Sequence, residues 1–350
     1  MKEINRILIY RIGNLGDIIC AMPAMVAVRR HFPNAWISLL TNKEGASNPD
    51  AEEVLKGNDF LDEIITYHPA KLHEAGYLLN LLKKLRSLRI ELLIYLAISK
   101  STRKRLVRDW SFFRLAVYGK LIGFKLPRPI RFYIKDGIKM PVYLQEVDRL
   151  MSLLRPLGID PTIIDFRLPI KENHRQAVDA IWNNYELNNK NPVVAICPGA
   201  KFPVKRWSPG RFAQVASILC NKFGARILLI GGPNERAAGE EIVKGAGNSI
   251  INLIGKTDYM MSAEVVRRCN LLVSNDCGPV HLSAAVGTPV VGIYSSRDYF
   301  DAWHPWGDIH TVLRNDSLPC RFCLKTECET MQCINSITVE QVIKACEKYL

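Results

Sequence analysis

Leu271-Leu272-Val273-Ser274-Asn275-Asp276-Cys277-Gly278-Pro279-Val280-His281-Leu282-Ser283-Ala284-Ala285 reads as a strand, a turn and a helix. A short apolar run suits a buried strand, and it ends in polar residues. Gly278 permits a sharp turn, and Pro279 fits the first turn of a helix. The small side chains that follow let the helix pack close to a sheet. A helix that starts just behind a strand aims N–H groups and a positive dipole end at a phosphate. Asp276 is suited to sugar hydroxyls. His281 is placed to contact phosphate or sugar, although a lone His at such a position is more often a core or cap residue.

The same rhythm extends outward in both directions. Val193–Cys197, Arg226–Ile230, Ile250–Leu253 and Pro289–Tyr294 read as further buried strands. Helical segments begin near Ser208-Pro209, Asn234 and Tyr259, with Ser208 as N-cap. Earlier in the chain, Ile4–Tyr10, Ala35–Leu40, Leu61–Tyr67 and Glu91–Leu96 are strand-like. A helix follows Asp17 to about His31, and helical spacing returns over Lys71–Leu88 and Val142–Leu157. Strands alternating with helices imply parallel, doubly wound α/β sheets. A chain of 350 residues implies two such domains. The expected division is 1–165, a linker over 166–190, 191–335, and a C-terminal helix within 336–350.

Hydrophobic residues make up 48% and charged residues 23% of the chain, which excludes wholesale disorder, collagen and a disulfide miniprotein. The longest apolar run, Leu92–Ile98 and its edges, falls well short of the ~20 residues of a spanning helix. Met1–Arg6 lacks the h-region and cleavage site of a signal peptide, so a cytoplasmic location is expected. The formal net charge is +13, and the stretch from Lys71 to Lys135 holds sixteen Lys or Arg against three acids. The whole excess therefore lies in one region. A localised basic patch calls for an anionic partner: a nucleic acid, an acidic membrane surface or a phosphorylated substrate.

Three more segments sit between a strand and a helix. In Arg11-Ile12-Gly13-Asn14-Leu15-Gly16-Asp17, Gly13 and Gly16 allow a sharp turn. Asp17 would stand at the carboxyl edge of the first strand, where open α/β sheets bind ligands. A carboxylate there can accept a proton from an attacking hydroxyl, or can simply cap the helix. Pro198-Gly199-Ala200-Lys201-Phe202-Pro203-Val204-Lys205-Arg206-Trp207 offers three cations suited to a departing pyrophosphate; a solvated basic loop is the plainer alternative. Gly231-Gly232-Pro233-Asn234-Glu235 permits close approach of a nucleotide, with Glu235 as acceptor for ribose hydroxyls or as an ordinary helix N-terminal acid. Neither a Walker A loop nor the dinucleotide Gly-x-Gly-x-x-Gly fingerprint is present.

Taken in order, these segments resemble glycosyltransferase family 9, the ADP-heptose:lipopolysaccharide heptosyltransferases and their relatives. The resemblance rests on Arg11–Asp17 followed by Pro23-Ala24 and Arg29-Arg30-x-x-Pro33, on Pro198-Gly199-Ala200 leading to Lys205-Arg206-Trp207, on Gly231-Gly232-Pro233 with Glu235, and on Asn275-Asp276-x-Gly278-Pro279-x-His281-Leu282. It implies a GT-B architecture, two Rossmann-like doubly wound domains facing across a cleft. The N-terminal domain would take the lipid-linked acceptor and the C-terminal domain the nucleotide-sugar. It further implies inverting transfer of a heptose from ADP-heptose without a metal. By the resemblance, Asp17 is the catalytic base. Lys205, Gly278, Pro279 and His281 hold the donor phosphates, and Glu235, Asp276, Gly231 and Gly232 meet nucleotide and sugar. Gly13, Gly16, Arg103, Lys104, Arg105 and Arg108 belong to the acceptor side, facing a phosphorylated glycolipid at the inner face of the cytoplasmic membrane. Where some heptosyltransferases carry a hydroxyl pair upstream of the lysine, this chain has Ala200-Lys201, which leaves another ADP- or UDP-sugar open as donor.

Cys320-x2-Cys323-x4-Cys328-x4-Cys333 is the remaining motif among ten cysteines. Four sulfurs so spaced can close a tetrahedral structural zinc site. Reduced thiols are the alternative, with disulfides last in a cytoplasmic protein. A nucleic-acid-binding protein would use the basic stretch and this cluster, but would leave the Asp276 motif unexplained, so no nucleic acid is expected. A nucleotide-sugar epimerase of Rossmann type is disfavoured by the missing dinucleotide fingerprint.

Overall fold

The computed structural model describes residues 4–43, 51–96, 102–126, 128–135, 138–187, 191–247, 250–299 and 301–350. The opening Met1–Glu3, the end of the Leu92–Ile98 run, Lys100 of the basic stretch and residues 188–190 of the expected linker lie outside them. The chain divides into two compact units, Met1–Arg131 with Val142–Pro169, and Phe132–Pro141 with Ile170–Leu350.

The first unit contains β1 (Arg6–Tyr10), α1 (Leu15–His31), β2 (Trp36–Asn42), the single turn α2 (Ala51–Val54), β3 (Glu63–Tyr67), α3 (Ala75–Ser87), β4 (Leu92–Tyr95), α4 (Arg103–Ala116) and β5 (Lys120–Ile122). The strands β6 (Arg131–Lys135) and β7 (Ile138–Val142) pair with each other, and α5 (Glu146–Ser152) returns to the first unit. Its sheet runs β3-β2-β1-β4-β5, parallel at every pairing.

The second unit contains α6 (Glu172–Asn184), β8 (Val193–Cys197), α7 (Pro209–Phe223), β9 (Arg226–Leu229), α8 (Arg236–Ala246), β10 (Ile250–Asn252), α9 (Tyr259–Arg267), β11 (Leu271–Asn275), α10 (Gly278–Val286), β12 (Val290–Tyr294), β13 (Thr311–Arg314), α11 (Gln332–Asn335) and α12 (Val339–Cys346). Its sheet runs β10-β9-β8-β11-β12-β13, again parallel. That is the doubly wound order, which reverses direction between the first and fourth strands.

Period-two alternation builds both faces of this second sheet. Val194 and Ile196 point to one side with Val273 and Ile293, under α7 and α12. Val193, Ala195 and Cys197 point to the other, against side chains of α6, α9 and α10. Every residue of β8, β11 and β12 is buried, as parallel strands covered on both faces must be. In the first unit, Leu8, Leu40, Ile65 and Leu93 form one such face with Leu85 of α3 and Phe113 of α4.

Three expectations about boundaries change. Residues 172–184, expected within a linker, form α6, whose Val178 is fully buried in the second core. Prolines and asparagines flank this helix and conceal its amphipathic stripe. The break between units falls at Pro169/Ile170, and residues 132–141 group with the second unit. The C-terminal helix is part of the same core as α7, through Val342, Ile343 and Cys346.

One glycine shows how tightly β5 is fitted. A Cβ at Gly119 would lie 1.6 Å from the Glu91 carbonyl oxygen, which accepts the Lys120 N–H at 2.8 Å. Gly119→Ala is expected to cost about 1–3 kcal/mol of stability through overpacking. Urea unfolding measures it, and an unchanged midpoint would show that β5 can shift freely.

Candidate functional site

In each unit the functional candidates gather at the carboxyl ends of the strands beside the point where the strand order reverses. In the second unit, the loop after β8 carries Lys205 at the end of a short 3-10 turn, Pro203–Lys205. The Lys205 Nζ lies 2.6 Å from Asp276 Oδ2 and 3.0 Å from Asp298 Oδ2. Burial pulls its pKa down, but Asp276 and Asp298 outweigh burial and hold it above the ordinary lysine value. The ammonium therefore stays charged throughout the neutral range. Asp298 is itself held at 2.7 Å by Arg297 Nη1. Both follow β12 in the buried run Ser295–Asp298.

Asn275 locks this loop to the sheet. Its side-chain N–H donates to Pro198 O at 2.6 Å, and its side-chain oxygen accepts the Trp207 N–H at 3.1 Å. The fully buried Trp207 donates its indole N–H to Ile337 O at 3.1 Å, which ties the loop to the segment before α12. Glu235 sits among glycines. A Cβ at Gly199 would come within 2.5 Å of its side chain, and Cβ atoms at Gly231 and Gly232 would stand 3.2 Å from its Oε2. Desolvation raises the Glu235 pKa, partly opposed by a backbone hydrogen bond at Gly232 and by the charge of Arg206.

The first turn of α10 supplies fewer donors than the sequence promised. Pro279 has no N–H, and the Val280 N–H is taken up by Cys277 O at 3.1 Å. Gly278 opens the helix. His281 is buried, its ring 6.1 Å from that of Trp303.

In the first unit, Asp17 stands three residues beyond the Asn14 N-cap of α1. Its Oδ2 accepts the Asn14 N–H at 2.9 Å, and its Oδ1 accepts from Arg11 Nη2 at 3.3 Å. Capping and chemistry are thus not alternatives, because the capping geometry leaves the carboxylate partly open, with 18% of its side chain exposed. Gly13 has φ +136°, and a Cβ there would lie 2.3 Å from Asp17. The Gly13 N–H is received by Asn42 Oδ1 at 2.9 Å, so the end of β2 fixes the turn. Gly16 is the second residue of α1.

The sequence profile of glycosyltransferase family 9 (heptosyltransferase) matches residues 113–334, more than half of the chain. The chain belongs to this family. It is similar to lipooligosaccharide heptosyltransferase 2 of Campylobacter jejuni, 26% identical over 342 residues, 96% of this chain and 95% of that one. A glycosyl transferase family 9 protein of Veillonella parvula has a similar fold, with a TM-score of 0.76 at 21% identity, covering 99% of this chain and 97% of the other. E. coli ADP-heptose lps heptosyltransferase II superposes with a TM-score of 0.65 at 19% identity, over 98% of each chain. The architecture is that of the GT-B glycosyltransferases, and the protein is a transferase enzyme.

The four α4 cations expected on the acceptor side, Arg103, Lys104, Arg105 and Arg108, do not form one face. Arg103 and Lys104 are exposed. Arg108 Nη2 lies 2.7 Å from Asp109 Oδ1, and Arg105 Nε 3.6 Å from Asp109 Oδ2. Asp109 is buried and also accepts the Tyr95 hydroxyl at 2.6 Å. Two of the four charges are therefore compensated. The exposed face of α4 carries Val107, Trp110 and Leu115 beside the free-standing cations.

All ten cysteines are unbridged. Cys320 and Cys323 are exposed, Cys328 is half-buried and Cys333 is buried. Among the described residues no group of three or more His, Cys, Asp or Glu is placed to hold a metal ion.

Arg297, Asp298, Glu146 and Arg149 were not singled out by sequence reasoning. Ser295-Ser296-Arg297-Asp298, a polar run directly behind a buried parallel strand, was the signal available for the first two. The site's mechanical anchor is open to test. Asn275→Ala leaves the Pro198 carbonyl and the Trp207 N–H without their partners, which should cost about 2 kcal/mol or more. Thermal unfolding should show a lower midpoint and nucleotide binding should weaken with it; an unchanged midpoint would remove Asn275 from this role.

Proposed function

We propose that this enzyme transfers a heptose from ADP-heptose to a lipopolysaccharide core-type acceptor, with inversion and without a metal. The observation that carries the reading is the convergence of Lys205 and Asp276, 2.6 Å apart, from motifs far apart in the chain onto the strand ends of a doubly wound sheet in a family 9 chain. The relatives' names supply the heptose and the acceptor class.

In this reading the acceptor hydroxyl attacks the anomeric carbon, its proton passes to the Asp17 carboxylate, and the bond to the diphosphate breaks on the opposite face. Arg11 donates to Asp17 Oδ1 at 3.3 Å and holds the carboxylate in place. Lys205, together with the start of α10, stabilises the charge that develops on the departing nucleoside diphosphate. The sequence contains no Asp-x-Asp, and a permanently charged lysine can fill that role. Glu235, in its glycine cradle, receives the ribose hydroxyls, and Asp276 the sugar.

Two variants separate the two halves. Asp17→Asn should lower turnover ~10²-fold or more while donor affinity changes little. Lys205→Ala should weaken both nucleotide binding and turnover, and wild-type activity should survive EDTA. Steady-state kinetics and calorimetry with a panel of nucleotide sugars measure all three. Near-normal turnover in Asp17→Asn, or strict dependence on added magnesium or manganese, would overturn the mechanism.

We further propose that α4 rests on the anionic surface of the cytoplasmic membrane. Among the described residues no helix is long and apolar enough to cross a membrane. Exposed Trp110, Val107 and Leu115 beside Arg103 and Lys104 suit the interface, where each cation contributes about 1 kcal/mol. Vesicle binding should fall as salt rises. Arg103→Ser with Lys104→Ser and Trp110→Ala should weaken it and raise the acceptor KM without changing nucleotide affinity. Salt-independent vesicle binding would assign the patch to another partner.

A further inference from the structure

We propose that Glu146, acting through Arg11, is a positioning residue that sets the basicity of Asp17. The proposal rests on the reading of Asp17 as the base and goes beyond it. Glu146 opens α5, far from Asp17 in sequence. Arg11, on the turn after β1, is completely buried. It donates through Nη2 to Asp17 Oδ1 at 3.3 Å, through Nε to Asp17 O at 3.1 Å, and through Nη1 to Glu146 Oε1 at 3.0 Å. Glu146 is in turn held by Arg149, Nε to Oε2 at 2.7 Å and Nη2 to Oε1 at 2.7 Å. Side-chain exposures fall from 18% at Asp17 to 0% at Arg11 and 2% at Glu146. The open end of the chain of charges is therefore the carboxylate that meets solvent.

The charges balance only as a set. Arg11 and Arg149 are positive, and Glu146 and Asp17 are negative. The Cys20 thiol, one turn further along α1, faces the same groups; its ionisation is pushed up by burial first and by Glu146 next. Helix α5 packs on α1, so the pair of arginines is fixed behind the base rather than brought to it. A bare guanidinium against Asp17 would favour the ionised form so strongly that the carboxylate would be a poor proton acceptor. Glu146 offsets that field from the far side of the same guanidinium. It also fixes the guanidinium plane, because one edge is bound to Glu146 while the other faces Asp17. A buried ion group that served stability alone could be replaced by apolar side chains at little loss; here the outer carboxylate would lose its electrostatic setting.

Removing the Glu146 charge leaves two buried cations facing one carboxylate. The pH dependence of kcat/KM tests the consequence. In Glu146→Gln the acid limb should move down by about one pH unit, and plateau kcat should fall about threefold, with donor KM unchanged. Glu146→Asp should restore the limb towards wild type. Arg149→Gln removes the opposite charge and should move the limb up, so it carries the test if Glu146→Gln does not fold. An acid limb that coincides with wild type in a folded Glu146→Gln or Arg149→Gln protein overturns the proposal. Asp17→Asn, run alongside, distinguishes the two failures. If that variant is inactive while the limbs coincide, Glu146 has no such role; if it is active, Asp17 is not the base.

Discussion

A cation taken out of water must be surrounded by opposite charge, and each unit of this protein is built around one that is. Arg11 follows the first strand of its sheet and lies between Asp17 and Glu146. Lys205 follows the first strand of the other sheet and lies between Asp276 and Asp298. In both cases the two carboxylates come from different elements, so the ion group clamps a strand-end loop to parts of the fold distant in sequence. Breaking such a pair would strand a buried charge at a cost of several kcal/mol. The loops are thereby fixed before any ligand arrives.

Parallel topology decides where these groups stand. In the second sheet β8 lies between β9 and β11, and the connections leave on opposite faces. The strand ends there open a space that helices do not fill. Polar residues at the strand ends, among them Asn275, Asp276, Arg297 and Asp298, are buried there. Each loop needs a local fastening, and in each unit an asparagine provides it. Asn42 receives Gly13, and Asn275 spans Pro198 and Trp207. An amide offers both a donor and an acceptor on one short, rigid side chain, which suits the joining of two backbones that run past a strand end.

The strands β1, β2, β3, β4, β8, β9, β11 and β12 were legible because buried parallel strands are short apolar runs punctuated by glycine, proline and polar residues. The turn at Gly13 and the helix start at Gly278 were legible for the same reason. Helix α6 was not, because its 172–184 stretch buries one narrow stripe around Val178 and is otherwise polar. The pairing of Asp109 with Arg105, Arg108 and Tyr95 was hidden as well. A charge count registers three acids among sixteen cations, whereas the fold buries Asp109 and uses it to compensate two of them. Glu146 and Asp298 escaped for a different reason. Their contacts are with Arg11 and Lys205 across the fold, and no local spacing announces such a contact. The motif residues at the strand ends are readable in sequence; the residues paired with them across the fold require coordinates.

The arrangement at Lys205 also explains why the second carboxylate is there. An ammonium has three donors, and Asp276 and Asp298 take two. Asp298 is held in place by Arg297, which is itself fixed to Leu324 O at 2.7 Å and to Lys325 O at 2.5 Å. The lysine is thereby pinned from the side of β12. Should the contact to Asp276 be lost, Lys205 still has Asp298 at 3.0 Å. The cysteine-bearing segment supplies those two carbonyls, and Thr326 O accepts the Val204 N–H at 3.4 Å. Backbone carbonyls between Cys323 and Cys328 thus fasten both Arg297 and the lysine loop.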